Sequence, residues 1–125
     1  MKDERRGSVL RSFYFAFAGL AYLFRTQRNA RIHAVSGAAA CGLAYYLQIS
    51  RAEWAVLVFT IALVLILEGL NTAIEAAIDL ASPNIHPLAK AAKDLAAGMV
   101  LIGAMASVAV GGLILGPPLW RKLFC

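Results

Sequence analysis

Charge is scarce in this 125-residue chain, and the stretches without it are long. Only 15% of the residues are charged. None of the fourteen from Trp54 to Leu67 is, and Leu95 to Trp120 holds no Asp, Glu, Lys or Arg. Cysteine and histidine number two each, and Cys41, Cys125, His33 and His86 have no zinc spacing and no disulfide framework. There is no GxxxxGK[ST] loop and no kinase-type Gly-rich loop, and Gly111-Gly112 has no partner motif. The two common nucleotide-binding loop classes are therefore excluded. The apolar run near the N-terminus is broken by Arg11 and Arg25 and lacks a small-residue cleavage site, so it does not read as a signal peptide. Internal repeats, low-complexity segments and a solvated second domain are absent as well.

Apolar residues fill the space. They make up 61% of the chain, against about 45–50% in soluble domains, and mean hydropathy is +0.71. Too little polar surface remains to coat a water-soluble globule. The expectation is a single all-α membrane domain over 1–125, with membrane helices at 31–49, 52–81 and 87–117. The first of these carries the small residues Ser36, Gly37, Ala38, Ala39, Ala40 and Gly42, which suit close helix contact. An amphipathic helix over 8–27 is expected to lie in the interface, because Leu10, Phe13, Phe17, Leu20 and Phe24 recur three or four residues apart. Lys2, Arg5 and Arg6 would then lie near anionic headgroups.

With three spans, the net charge of +5 sets orientation rather than pointing to nucleic acid. Lys2, Arg5, Arg6, Arg11, Arg25, Arg28, Arg31, Lys90 and Lys93 share one side, and only Arg51, Arg121 and Lys122 fall on the other. Nine against three places the N-terminus and the loop in the 80s in the cytoplasm.

One apolar helix nevertheless carries acids. ILEGLNTAIEAAID, Ile66 to Asp79, holds Glu68, Glu75 and Asp79 together with Asn71. At about 100° per residue, Asn71, Glu75 and Asp79 lie about −60°, −20° and +20° from Glu68. They share one face. Lys90, Lys93 and Asp94 share a side of the next helix by the same arithmetic. A carboxylate within a span costs about 2.5–3.5 kcal/mol on insertion scales, so it marks function by default. Helix-to-helix hydrogen bonding could account for Asn71 or Thr72, but two glutamates on one face repel unless a cation or proton joins them.

Acids at one interface level with lysines facing them suit Mg²⁺ and a polyphosphate, since Mg²⁺ takes one or two carboxylates along with phosphate oxygens. Lysine would offset charge during transfer. A carboxylate in apolar surroundings can accept a hydroxyl proton. A lipid alcohol from the bilayer and a phosphate donor from the cytosol could meet there. A proton or ion pathway is the rival on physical grounds, although such relays usually sit near mid-membrane without facing lysines.

EGLNTAIEAAIDL, followed after a short loop by HPLAKAAKDLAAG, resembles the signature of the small bacterial membrane kinases, prokaryotic diacylglycerol kinase and its undecaprenol kinase relatives. RNARIH, ahead of the first span, resembles the same family's lead-in segment, and the likeness runs from about Phe13 to Gly116. The resemblance implies a homotrimer in the bacterial inner membrane with active sites shared between subunits. It implies transfer of the ATP γ-phosphoryl group to a lipid alcohol, diacylglycerol or undecaprenol, with Mg²⁺. By position, Glu68 matches the general base next to the lipid substrate and Asn71 its polar neighbour. Glu75 matches a metal and nucleotide ligand, while His86, Lys93 and Asp94 match nucleotide contacts. Arg31 matches an arginine at the start of the first span, assigned here to substrate. Gln27 stands where the family often has a second Mg²⁺-binding glutamate, and offers an amide oxygen without the charge.

Overall fold

Four helices make up the chain: α1 (Lys2–Thr26), α2 (Arg28–Leu47), α3 (Arg51–Ala81) and α4 (Pro87–Phe124). The computed structural model describes residues 2–125, with side chains from Gly7 onward. The side chains of Lys2, Arg5 and Arg6, expected near headgroups, lie outside the described residues. The fold is all-α, and no strand occurs among the described residues.

Local chemistry explains each break. Gln27 is extended (φ −109°, ψ 111°) and separates α1 from α2. Gln48 takes the left-handed conformation at φ 54°, and its amide bonds back to Tyr45 O, which ends α2. Ser50 starts α3 with a reciprocal cap: its hydroxyl accepts from the Glu53 amide and the Glu53 carboxylate accepts from the Ser50 amide, both at 3.2 Å. His86 caps α4 by accepting the Leu88 amide on Nδ1 at 3.1 Å, and Pro87 takes the first helical position, where its missing N–H costs nothing.

α2, α3 and α4 pack together, and the α3–α4 contact is the most extensive. Gly37 lets Ile61 approach α2, and Gly103 lets Leu67 approach α4; a Cβ at Gly103 would fall 2.6 Å from Leu67 Cδ1. Around the 48–50 turn, Ala44, Leu47, Leu57, Ile114 and Leu115 form a buried core backed by Trp54, Ile61 and Leu119.

Three features depart from the sequence reading. Length and composition make Gly7–Thr26, Arg51–Ala81 and Pro87–Phe124 the helices apolar enough to cross a membrane. α2 falls short because Arg28, Asn29, Arg31 and His33 open it. Its 20 residues still rise about 30 Å, and it is α2 that packs along α3 and α4. The aromatic stripe of α1 is also less one-sided than expected, because Tyr14, Phe15 and Tyr22 are exposed off it. α1 touches the bundle through its final turns, where Leu23 is buried near Gly69.

The end of α4 differs too. Pro117 and Pro118, expected to close the span at 117, lie inside a helix that continues to Phe124. Arg121 Nε donates to the Pro117 carbonyl at 3.4 Å, one turn back along the same helix.

Candidate active site at the loop end of the bundle

The carboxylate face of α3 points into the bundle at one end and into solvent at the other. Glu68 is 2% exposed, Asn71 and Glu75 are half-buried, and Asp79 is exposed. The buried stripe Leu57, Val64, Glu68 and Thr72 recurs at spacings of seven and four, so Glu68 occupies a position that Leu or Val would fill in an ordinary bundle. Thr72 donates to the Glu68 backbone carbonyl at 3.0 Å and stays within its own helix. Glu68 Oε2 and Asn71 Oδ1 are buried without a hydrogen-bond partner among the described residues. Unpartnered buried oxygens are costly and call for an explanation. The Asn71 amide makes a long 3.5 Å contact with Glu75 Oε1.

Beyond Glu75 the face meets α4. Asp79 pairs with Lys93 across the two helices, and Lys90 pairs with Asp94 one turn along α4 at 2.5 Å. These four groups, with Asn84 and His86, line a cavity of about 340 Å³ under the 82–86 loop. Four formal charges cancel there, two lysines against two aspartates.

The site residues read from sequence fall into three places. Asp79, His86, Lys93 and Asp94 share the loop-end cavity. Glu68, Asn71 and Glu75 lie farther into the bundle on the same face of α3. Leu67 abuts Gly103 while Asp79 meets Lys93, so Glu68 sits opposite the middle of α4, about 16 Å along the axis from the ion pair. A single chain does not bring Glu68 to Lys93. Gln27 and Arg31 occupy the α1–α2 junction. Gln27 is half-buried and its side chain makes no cap bond, whereas Arg31 donates to the Phe24 and Arg25 carbonyls at 2.8 and 3.0 Å. Arg31 thus anchors a helix end, the structural role open to a basic residue at this position. The Asp79–Lys93 pair was missed by sequence reasoning, because facing helices have no register until they are packed.

Fold and site define a class: an all-α integral membrane protein with acids, an amide and lysines gathered toward one end of its bundle. Relatives narrow it further. Residues 14–115 match the prokaryotic diacylglycerol kinase family. A Synechocystis diacylglycerol kinase is 50% identical over 113 residues, covering 90% of this chain and 65% of that protein. A Bacillus subtilis undecaprenol kinase is 40% identical over 120 residues, covering 94% of this chain and 98% of that protein. A Pseudomonas aeruginosa diacylglycerol kinase is 36% identical over 87 residues, covering 70% and 71%. The chain belongs to the prokaryotic diacylglycerol kinase family. It is a bacterial membrane protein.

Proposed function

We propose that this chain is an ATP-dependent lipid kinase that phosphorylates diacylglycerol to phosphatidic acid at the cytoplasmic face. The family and the relatives' names support the reaction class. The observation that carries the chemistry is Glu68, a buried carboxylate with one oxygen unpartnered, on the same helix face as Glu75. An oxygen left unsatisfied at a core position destabilises the fold, so its retention suits a group that receives a proton.

In this reading Glu68 Oε2 takes the proton of the lipid hydroxyl. The freed oxygen attacks the γ-phosphorus, the bond to the β–γ bridging oxygen breaks, and ADP leaves. Asn71 orients the base. Lys93 and Asp94, with His86 nearby, hold the nucleotide, and Lys93 offsets charge on the moving phosphoryl group. Glu75 and the Gln27 amide are oxygen donors of the kind Mg²⁺ accepts, and Glu75 is half-buried with no cationic partner among the described residues. When bound there, Mg²⁺ would neutralise phosphate charge. Arg31 is assigned to the substrate side of the junction.

In this reading the chain works as a homotrimer in which neighbouring subunits share each site, as the family resemblance implies. The N-terminus and the 82–86 loop are placed in the cytoplasm on the nine-to-three distribution of basic residues. A second acceptor has specific support, since the undecaprenol kinase aligns over 98% of its own length. Both alcohols present a hydroxyl to the same base.

Purified protein in lipid, given labelled ATP and each alcohol separately, tests the reading. Labelled phosphatidic acid is expected; labelled undecaprenyl phosphate alone would reassign the acceptor. No labelled lipid from either would overturn the kinase reading, and ion flux in vesicles would replace it with the pathway alternative. Glu68→Gln should abolish transfer in a folded protein, and unchanged turnover would refute the assigned base.

A further inference from the structure

Asp79 has no part in the chemistry above, yet it holds the cation that chemistry draws on. We propose that Asp79 is a positioning residue: it fixes the Lys93 ammonium at the loop-end cavity and keeps it from Glu75. This rests on the kinase reading of the same site.

The observations separate the two lysines of the cavity. Lys90 pairs with Asp94 within α4, and both side chains are largely solvated. Lys93 is held across the bundle, at 39% exposure, by a carboxylate on α3 fourteen residues earlier. Among the described residues this is the one side-chain hydrogen bond joining α3 to α4. A lysine stem is flexible and loses side-chain entropy when ordered. Ordering it before nucleotide arrives removes that cost from the binding step. The ammonium has three donors, so two remain for phosphate oxygens after Asp79 takes one.

The alternative partner explains why the choice matters. Glu75 lies one turn above Asp79 on the same face, about 6 Å along the axis, and has no cationic partner among the described residues. Deprived of Asp79, Lys93 would pair with Glu75 and neutralise the carboxylate assigned to Mg²⁺. Three carboxylates on one face thereby take separate tasks. Glu68 stays free because it lies out of the amine's reach, and Asp79 keeps the amine from Glu75, which stays available.

The test is Asp79→Asn in the full-length protein, with KM for Mg·ATP and kcat measured against the lipid alcohol the wild type accepts. KM is expected to rise about three- to tenfold with kcat changed less than about twofold. In a Lys93→Met background, affinity for Mg²⁺ with a non-hydrolysable ATP analogue should be unaltered by Asp79→Asn. The exchange of Asp79→Lys with Lys93→Asp should restore thermal stability without restoring KM, because it rebuilds the helix tie but moves the amine to α3. Wild-type KM in Asp79→Asn would overturn the proposal. So would a full Asp79→Asn effect without Lys93, or recovery of KM by the exchange. If Asp79→Asn does not assemble, Asp79→Glu decides: KM within about twofold of wild type supports a carboxylate tether, and a tenfold rise refutes it. A wild type that labels no lipid fails the kinase reading itself, which separates the two outcomes.

Discussion

The two ends of the helix bundle are built from different materials. At the 48–50 turn, Ala44, Leu47, Leu57, Ile114 and Leu115 close a core with no polar side chain in it. A reciprocal cap starts α3 there, and Lys122 lies 4.1 Å from the Tyr46 ring centroid, tying the ends of α2 and α4. Toward the 82–86 loop the buried residues of α3 are Glu68 and Thr72, and two buried oxygens lack partners. Beyond them lie two solvated ion pairs, while the buried apolar groups at this end, Leu23, Ala30 and Ala96, are fewer and mostly small. The difference is a division of labour along one helix. The turn end supplies stability that the loop end gives up in order to hold polar groups where oil meets water.

The sharpest way to break that comparison is to mutate Glu68. Glu68→Gln should lower phosphoryl transfer by about 10²- to 10⁴-fold, the usual reach of a general base. Its unfolding midpoint should hold steady or rise, since an amide is easier to bury than a carboxylate. A variant that lost stability instead would make Glu68 a structural group, and the loop end would resemble the turn end.

Leu57 probes the opposite end. Leu57→Ala should destabilise the bundle by about 2–5 kcal/mol, read as a lower unfolding midpoint in lipid or detergent. The KM for Mg·ATP of the protein that remains folded should be unchanged. A raised KM with intact stability would show that the turn end shapes the nucleotide site, contrary to the division.

Much of this was legible before packing was known. The runs Trp54–Leu67 and Leu95–Trp120 announced long apolar helices, and 3.6-residue periodicity put Glu68, Asn71, Glu75 and Asp79 on one face, as found. The Pro-rich loop and His86 at the start of α4 were readable for the same reason: proline and capping chemistry are local. What could not be read were the relations between helices. Arg31 on the α1 carbonyls, Leu23 beside Gly69 and Lys93 on Asp79 all depend on how far one helix slides along another. Composition misled at α1, where aromatic residues surround the helix, and at α4, where a double proline failed to end it. Periodicity also gave no warning that Glu68 and Lys93 stand three turns apart in one chain.

Ser50 offers the smallest and cleanest comparison, because its effect is confined to one helix start. Its hydroxyl satisfies the Glu53 amide, and the Glu53 carboxylate returns a bond to the Ser50 amide. Ser50→Ala removes the first bond and leaves one of the unpaired N–H groups of α3 without its partner, at a cost of about 1 kcal/mol. Glu53→Gln should cost less, since an amide oxygen can still accept from Ser50 N. Neither should alter KM, because α3 is a continuous helix from Arg51 to Ala81 and fraying at its start spreads over about one turn. Glu68 lies more than four turns farther along. If Ser50→Ala changed transfer as strongly as it changed stability, the two ends would have to move as one body, and the separation of packing from chemistry along α3 would fail.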